Sequence, residues 1–187
     1  FTLTNMKEVY AIHAWGMNSS TEPWFKWLKG EITKKGYKVT FFDMPNTDNP
    51  KIEEWVGYLK KNIKYVDEKT YFIGHSVGCQ TILRYLEKLP KSKKIGGCVF
   101  VAPWLNLINL EPEELKIAHP WTNTEMDFSR IVEHCDNFLA IFSDNDPYVH
   151  LDEAEKFRKN LGAKVIFKKN QGHFDEATKI PEIAEFL

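Results

Sequence analysis

Read only as apolar and polar positions, the chain alternates short hydrophobic runs with longer amphipathic stretches. Six runs read as strands: residues 8–13 (EVYAIH), 37–42 (YKVTFF), 70–74 (TYFIG), 97–102 (GCVFVA), 138–142 (FLAIF) and 164–167 (KVIF). Most are almost continuously apolar, the pattern of strands covered by helices on both faces. Between the first two runs, residues 23–35 place Trp24, Trp27, Leu28 and Ile32 at helical spacing, and Gly36 follows the end. Residues 52–65, 77–89, 128–135 and 152–161 read the same way, with a last helix from about residue 180. Strands alternating with helices predict an α/β protein, a three-layer α/β/α arrangement of parallel strands joined by crossover helices. Residues 105–125 stand apart. They contain Pro112, Pro120 and Trp121 and are too long for an ordinary turn, so a small lid or pocket wall is expected there.

Length and composition narrow this picture. The 187 residues, 43% of them hydrophobic, suffice for one sizeable core, so residues 1–187 are read as one domain. Lysine plus arginine (25) nearly balance aspartate plus glutamate (26), which removes the electrostatic argument for nucleic acid or an acidic membrane and favours a small or uncharged substrate. Cys79, Cys98 and Cys135 lie far apart without zinc-ligand spacing, so neither disulfide, metal nor other cofactor is expected. No secretion signal is visible, and no apolar stretch approaches the roughly 20 residues that span a bilayer, which makes the cytoplasm the expected location. The chain opens at Phe1. Met6 as the natural start and a trimmed precursor both fit that opening.

The sharpest chemical signal is Gly74-His75-Ser76-Val77-Gly78, a G-x-S-x-G between the strand run TYFI and a helical pattern. A chance pentapeptide lacks such a context. A serine at a tight strand-to-helix turn is a nucleophile elbow: flanking glycines let strand and helix approach closely, and the helix start offers free N–H groups to an oxyanion. A serine hydroxyl needs a base and a group that orients the base. His173, in Gly172-His173-Phe174 after the last strand run, falls on the serine's side of the sheet. Of the other histidines, His13 ends the first strand, His75 lies in the elbow, and His119, His134 and His150 lie in the connection or at helix ends. In Asp144-Asn145-Asp146-Pro147-Tyr148-Val149 either aspartate can reach the imidazole. Asp146 is preferred, because D-P-x-V recurs in this kind of fold and Asp144 suits a turn brace. The order Ser76, Asp146, His173 is that of α/β-hydrolase triads.

The oxyanion hole needs two backbone donors. Val77 is one, and Trp15, with Ala14 as the alternative, is the other. In an ordinary turn Trp15 would simply pack on the core. Trp15, Met17, Trp104, Trp121 and Phe174 fall on loops after strands and are expected either to wall an acyl pocket or to form satellite core. Trp24, Trp27 and Trp55 lie on helices and read as core.

With HAWG, WFKWL, DMPN, GHSVGC, SDNDPYV and GHF in place, nearly the whole chain resembles the retinoblastoma-binding protein 9 family of small serine hydrolases and its bacterial relatives. The resemblance implies a compact six-stranded, mainly parallel sheet of order 2-1-3-4-5-6 and triad roles for Ser76, Asp146 and His173. Ala14 stands where relatives usually have glycine, and the chain has no L-x-C-x-E motif, so no protein partner is assigned. The expected activity is hydrolysis of a carboxylic ester or similar acyl compound through an acyl-enzyme, in the carboxylesterase class EC 3.1.1. Amide or thioester cleavage is the nearest competitor, and a non-catalytic interaction module is the alternative of a different kind.

Overall fold

The computed structural model describes residues 6–187. The question raised by residues 1–5 lies outside the described residues. The strands are β1 (Lys7–Ile12), β2 (Tyr37–Phe42), β3 (Thr70–His75), β4 (Gly97–Val101), β5 (Phe138–Ser143) and β6 (Lys164–Lys168). They form one sheet of order β2-β1-β3-β4-β5-β6, and every neighbouring pair is parallel. The helices are α1 (Phe25–Lys34), α2 (Ile52–Asn62), α3 (Val77–Glu87), α4 (Pro112–Asn123), α5 (Phe128–Val132), α6 (Glu153–Leu161) and α7 (Pro181–Phe186).

Successive strand side chains point to opposite faces, and the two buried clusters divide accordingly. Val9, Ala11, Ile73, Val99, Val101, Leu139 and Ile141 join Leu28 and Ile32 of α1 and Ile183 of α7 on one face. Tyr10, Ile12, Phe72, Phe100, Ala140 and Phe142 join side chains of α2, α3, α5 and α6 on the other. Double coverage explains why β1, β3, β4 and β5 read as continuous apolar runs. The edge strands β2 and β6 are only partly covered, and Phe167 of β6 is exposed.

Ile12 pairs with Gly74, His75 with Val101, and Val101 with Ile141, so these strands end nearly level along one edge. Chain order reverses at β1, with β2 on one side and β3 on the other. At such a switch point the loops after the two diverging strands part and leave a crevice.

No helix was expected within residues 105–125, the segment read as a small lid or pocket wall, and the structure places α4 in its middle. Pro112 sits in its first turn, where the missing N–H has no intrahelical partner to lose. The Glu111 N–H is instead met by Glu114 Oε2 at 2.8 Å. Pro120 lies inside the helix near its carboxyl end. Several helices are shorter than expected: α1 runs only Phe25–Lys34, α3 ends at Glu87, α2 ends at Asn62 because the chain turns extended at Ile63, and α5 stops at Val132. Cys79, Cys98 and Cys135 are buried and free. Among the described residues no helix is long and apolar enough to cross a membrane.

Candidate active site

Ser76 occupies the single residue between β3 and α3, with φ 53° and ψ −117°. A non-glycine residue in this region carries strain of about 1–3 kcal/mol, tolerated only where the surroundings impose it. The surroundings are tight. A Cβ on Gly78 would stand 2.5 Å from Ile12 O, and one on Gly74 would stand 2.8 Å from Cys79 N. Glycine at both positions lets the first turn of α3 rest directly on the end of β1 and over its own strand. The Ser76 N–H donates to Val101 O at 2.9 Å, locking the turn to β4.

Around the hydroxyl, three elements meet. His173 Nε2 lies 2.9 Å from Ser76 Oγ, and His173 Nδ1 lies 2.8 Å from Asp146 Oδ2. Asp146 Oδ1 accepts the N–H groups of Tyr148 (2.9 Å) and Val149 (3.1 Å). A carboxylate occupied by three donors is an acceptor, so Nδ1 carries the imidazole proton and Nε2 is free to accept from the serine. Trp104 Nε1–H donates to Ser76 Oγ at 3.1 Å. An indole N–H can only donate, so it engages a lone pair of Oγ and leaves the hydroxyl proton to face His173.

Asp144 does different work from Asp146. Its Oδ1 accepts the Asn170 N–H at 2.8 Å, Ser143 Oγ accepts the Gln171 N–H at 2.9 Å, and Asn145 Oδ1 accepts the Gly172 N–H at 2.8 Å. Ser143, Asp144 and Asn145 thus brace the loop that presents His173. Phe174, the next residue, is buried in the core cluster that includes α1 and α7, at φ 64°. With the imidazole turned toward the serine, its neighbour turns inward and anchors the loop. The expectation that Phe174 walls the pocket is therefore corrected to an anchoring role. Trp121 is likewise corrected: it is buried against Trp55, and its indole N–H donates to Pro50 O at 2.9 Å. Trp104 is buried beneath Ser76 and absent from the pocket wall.

In the loop after β1, the backbone amides sort themselves. Ala14 N–H donates to Glu22 Oε2 (3.0 Å), Gly16 N–H to Thr47 O (2.9 Å) and Met17 N–H to Ala14 O (3.2 Å). Among the described residues no acceptor is recorded for the Trp15 N–H, and Ala14 is excluded as a free donor. His13 Nδ1 lies 2.7 Å from Ala14 O, and the Met44 N–H donates to His13 Nε2 at 2.9 Å. His13 is thus the neutral Nδ1–H tautomer, and burial, the largest influence, holds its pKa below the ordinary value. Its grip on the Ala14 carbonyl fixes the Ala14–Trp15 peptide plane, whose N–H points the opposite way. The Val77 N–H, at the first position of α3, has no intrahelical partner either.

A cavity of about 280 Å³ opens over Ser76 and His173. Trp15 and Met17 line it from the β1 loop, Leu107, Leu110 and Glu114 from residues 105–125, and Tyr148 and Asp175 from the loops after β5 and β6. Leu107, Leu110 and Glu114 lie within the segment expected as a lid or pocket wall, although none of them was singled out; Tyr148 and Asp175 were not anticipated, since nothing in a linear pattern marks which loop residues overhang a serine far away in sequence. Glu22 was also missed: it lies 53 positions from His75, which it contacts below the elbow.

Comparison with known proteins finds relatives over nearly the whole chain. A sequence profile described as serine hydrolase matches residues 9–184. YdeN from Bacillus subtilis is 30% identical over 184 residues, covering 97% of this chain and 94% of that protein. The crystal structure of the ydeN product superposes with a TM-score of 0.86 at 28% identity, covering 96% of each chain. The serine hydrolase RBBP9 of Rattus norvegicus is 24% identical over 162 residues, 85% of this chain and 82% of its own. The Pyrococcus furiosus esterase Pf2001 shares the fold, with a TM-score of 0.67 at 18% identity over 97% of this chain and 80% of that one.

Proposed function

Because this chain belongs to the serine hydrolase family, we propose that it cleaves a small carboxylic ester through an acyl-enzyme, with Ser76 as nucleophile, His173 as general base and acid, and Asp146 orienting the imidazole. The hydrogen-bonded sequence Asp146–His173–Ser76 carries this reading. The Ser76 proton passes to His173 Nε2 as Oγ bonds to the carbonyl carbon, and the carbonyl electron pair moves onto oxygen. The Trp15 and Val77 N–H groups hold that oxyanion. Collapse breaks the bond to the alcohol oxygen, which takes the proton from His173. Water then gives a proton to His173 as it attacks the acyl carbon. The carboxylic acid leaves, and the proton returns to Ser76 Oγ.

An ester is preferred to an amide because an alkoxide leaves more readily than an amine anion. The cavity falls just below the usual range of about 300–1,000 Å³ for ligand pockets, which favours a short acyl chain. Its ionisable lining, Glu114, Asp175, His173 and Tyr148, includes no lysine or arginine, which favours a neutral substrate over an anionic one. We place the work in the cytoplasm, where cysteines such as the three free ones stay reduced.

The test is labelling with a fluorophosphonate, read by intact mass, in the parent and in Ser76→Ala. One adduct that disappears in the variant, together with loss of hydrolysis of a short-chain ester, is the expected result. A folded parent that takes no label and turns over no ester would overturn the reading.

A further inference from the structure

Beneath the elbow lie two ionisable side chains that take no part in the hydrolytic steps. The Glu22 and His75 side chains are both fully buried, and Glu22 Oε1 stands 2.8 Å from His75 Nδ1. The other carboxylate oxygen, Oε2, accepts the Ala14 N–H at 3.0 Å. On the far side of the ring, His75 Nε2 lies 2.7 Å from the backbone oxygen of His173. A carbonyl only accepts, so His75 Nε2 carries a proton and donates it. Burial, the largest single influence, opposes the charge on His75, but the Glu22 carboxylate together with Asp175 and the His173 carbonyl holds the pKa above the ordinary histidine value. Burial is likewise the largest influence against the charge on Glu22, and His75 together with the Ala14 N–H and His13 holds the carboxyl below its ordinary value.

These contacts run without a break from the Ala14 amide through Glu22 and His75 to the His173 carbonyl. Ala14 belongs to the loop whose next residue, Trp15, lines the cleft. His75 directly precedes the nucleophile, and His173 is the base. Removing two charges from water is expensive, and replacing such a pair with apolar side chains often stabilises a protein. The Trp24 and His173 rings pack beside His75, at centroid distances of 6.0 and 5.3 Å, so its space is enclosed. A role in placement accounts for a pair that stability alone does not require.

We infer that Glu22 and His75 are positioning residues, a buried strut that sets the distance between the oxyanion amide of Trp15 and the imidazole of His173. The inference rests on the proposed Ser76 hydrolase activity. It assigns neither residue a contact with substrate. Their effect is on kcat, since the oxyanion and the shared proton matter only once the carbonyl is attacked.

The test compares Glu22→Ala and Glu22→Gln with the parent, using a short-chain ester and rates normalised to fluorophosphonate-titrated sites. In Glu22→Ala, kcat should fall on the order of 10²-fold, as for misplacement by about 1 Å, while KM changes little. A boronic acid, which mimics the tetrahedral adduct, should lose affinity in parallel. Glu22→Gln should restore most of kcat, because its oxygen can accept from Ala14 N–H while its amide N–H donates to a neutral His75 still bonded to His173 O. A purely structural role would lower the melting temperature and the titratable fraction while leaving kcat per active site unchanged. That result in Glu22→Ala would overturn the inference. Should Glu22→Ala fail to fold, Glu22→Asp decides. It keeps the charge but is too short to reach both Ala14 and His75, so unchanged kcat there overturns the strut and a marked fall supports it. An inert parent would overturn the hydrolase reading and the strut together, whereas an active parent with unaffected variants would overturn the strut alone.

Discussion

The floor of the cleft, where β1, β3, β5 and β6 end, is held differently from its roof, residues 105–125. On the floor, Asp146 makes three hydrogen bonds, Ser76 is held by Val101, Trp104 and His173, and the base loop is tied at Asn170, Gln171 and Gly172. The roof is fastened at its two ends. Leu105 N–H donates to Glu153 Oε2 (2.6 Å) and Ile108 N–H to Tyr148 O (2.9 Å), while Arg84 holds the oxygens of Trp121 (2.9 Å) and Thr124 (2.7 Å). Between these anchors Leu107, Leu110 and Glu114 face the cavity, and Ile108 and Leu115 face solvent. Proton transfer and oxyanion binding demand placement within fractions of an ångström, whereas an acyl wall need only exclude water and match a shape. Under the proposed mechanism, the contrast gives rate to the floor and selectivity to the roof.

The strongest challenge to that division is Asp146→Asn set beside Asp144→Asn. With the wrong imidazole tautomer favoured, Asp146→Asn should lower kcat by about 10⁴-fold. Asp144→Asn keeps an oxygen that can accept from Asn170 and should cost far less. A larger loss at Asp144, measured by initial ester hydrolysis rates, would show the base loop's brace to matter more than the bond to the imidazole. Trp104→Phe comes next. It keeps an aromatic ring in the buried site but deletes the bond to Ser76 Oγ, and a single hydrogen bond of about 1 kcal/mol predicts a roughly fivefold drop in kcat. An unchanged kcat in a folded variant would mean that His173 alone orients the hydroxyl. The smallest effect is expected on the roof. Leu110→Ala should leave kcat for the best substrate nearly intact and move the ratio of kcat/KM values toward longer acyl chains, by at most a few tens-fold per pocket contact. A chain-length series of esters reads this out, and a loss of kcat without a change in preference would place Leu110 in the chemistry.

The fold was legible to within a residue or two at the strands, because β1, β3, β4 and β5 are covered on both faces and their sequences carry almost no polar interruption. The helix α4 was not foreseen within the segment read as a lid or pocket wall, although Pro112 stands in the first helical turn, the position suited to it. At the site, the candidates singled out by their own neighbours, Ser76 between glycines and His173 in a loop after a strand, are brought within 2.9 Å of each other. The aromatics expected at the cleft divided once side-chain direction was known. Trp15 and Met17 line it, Trp104 lies under the serine, and Trp121 and Phe174 are turned into the core.

From its order of apolar runs and its elbow, the chain by itself determined the alternating α/β layers, the end of the sheet at which Ser76 stands, and the candidates for the proposed chemistry. Those are properties of local spacing, set by the periods of strand and helix. Only the tertiary structure decided which aspartate meets the imidazole, which amides of the β1 loop are already engaged, and that Glu22 reaches His75 and Ala14 beneath the elbow. Each depends on which of several similar polar groups is already occupied by a distant partner, and that occupancy exists only after the chain has closed on itself.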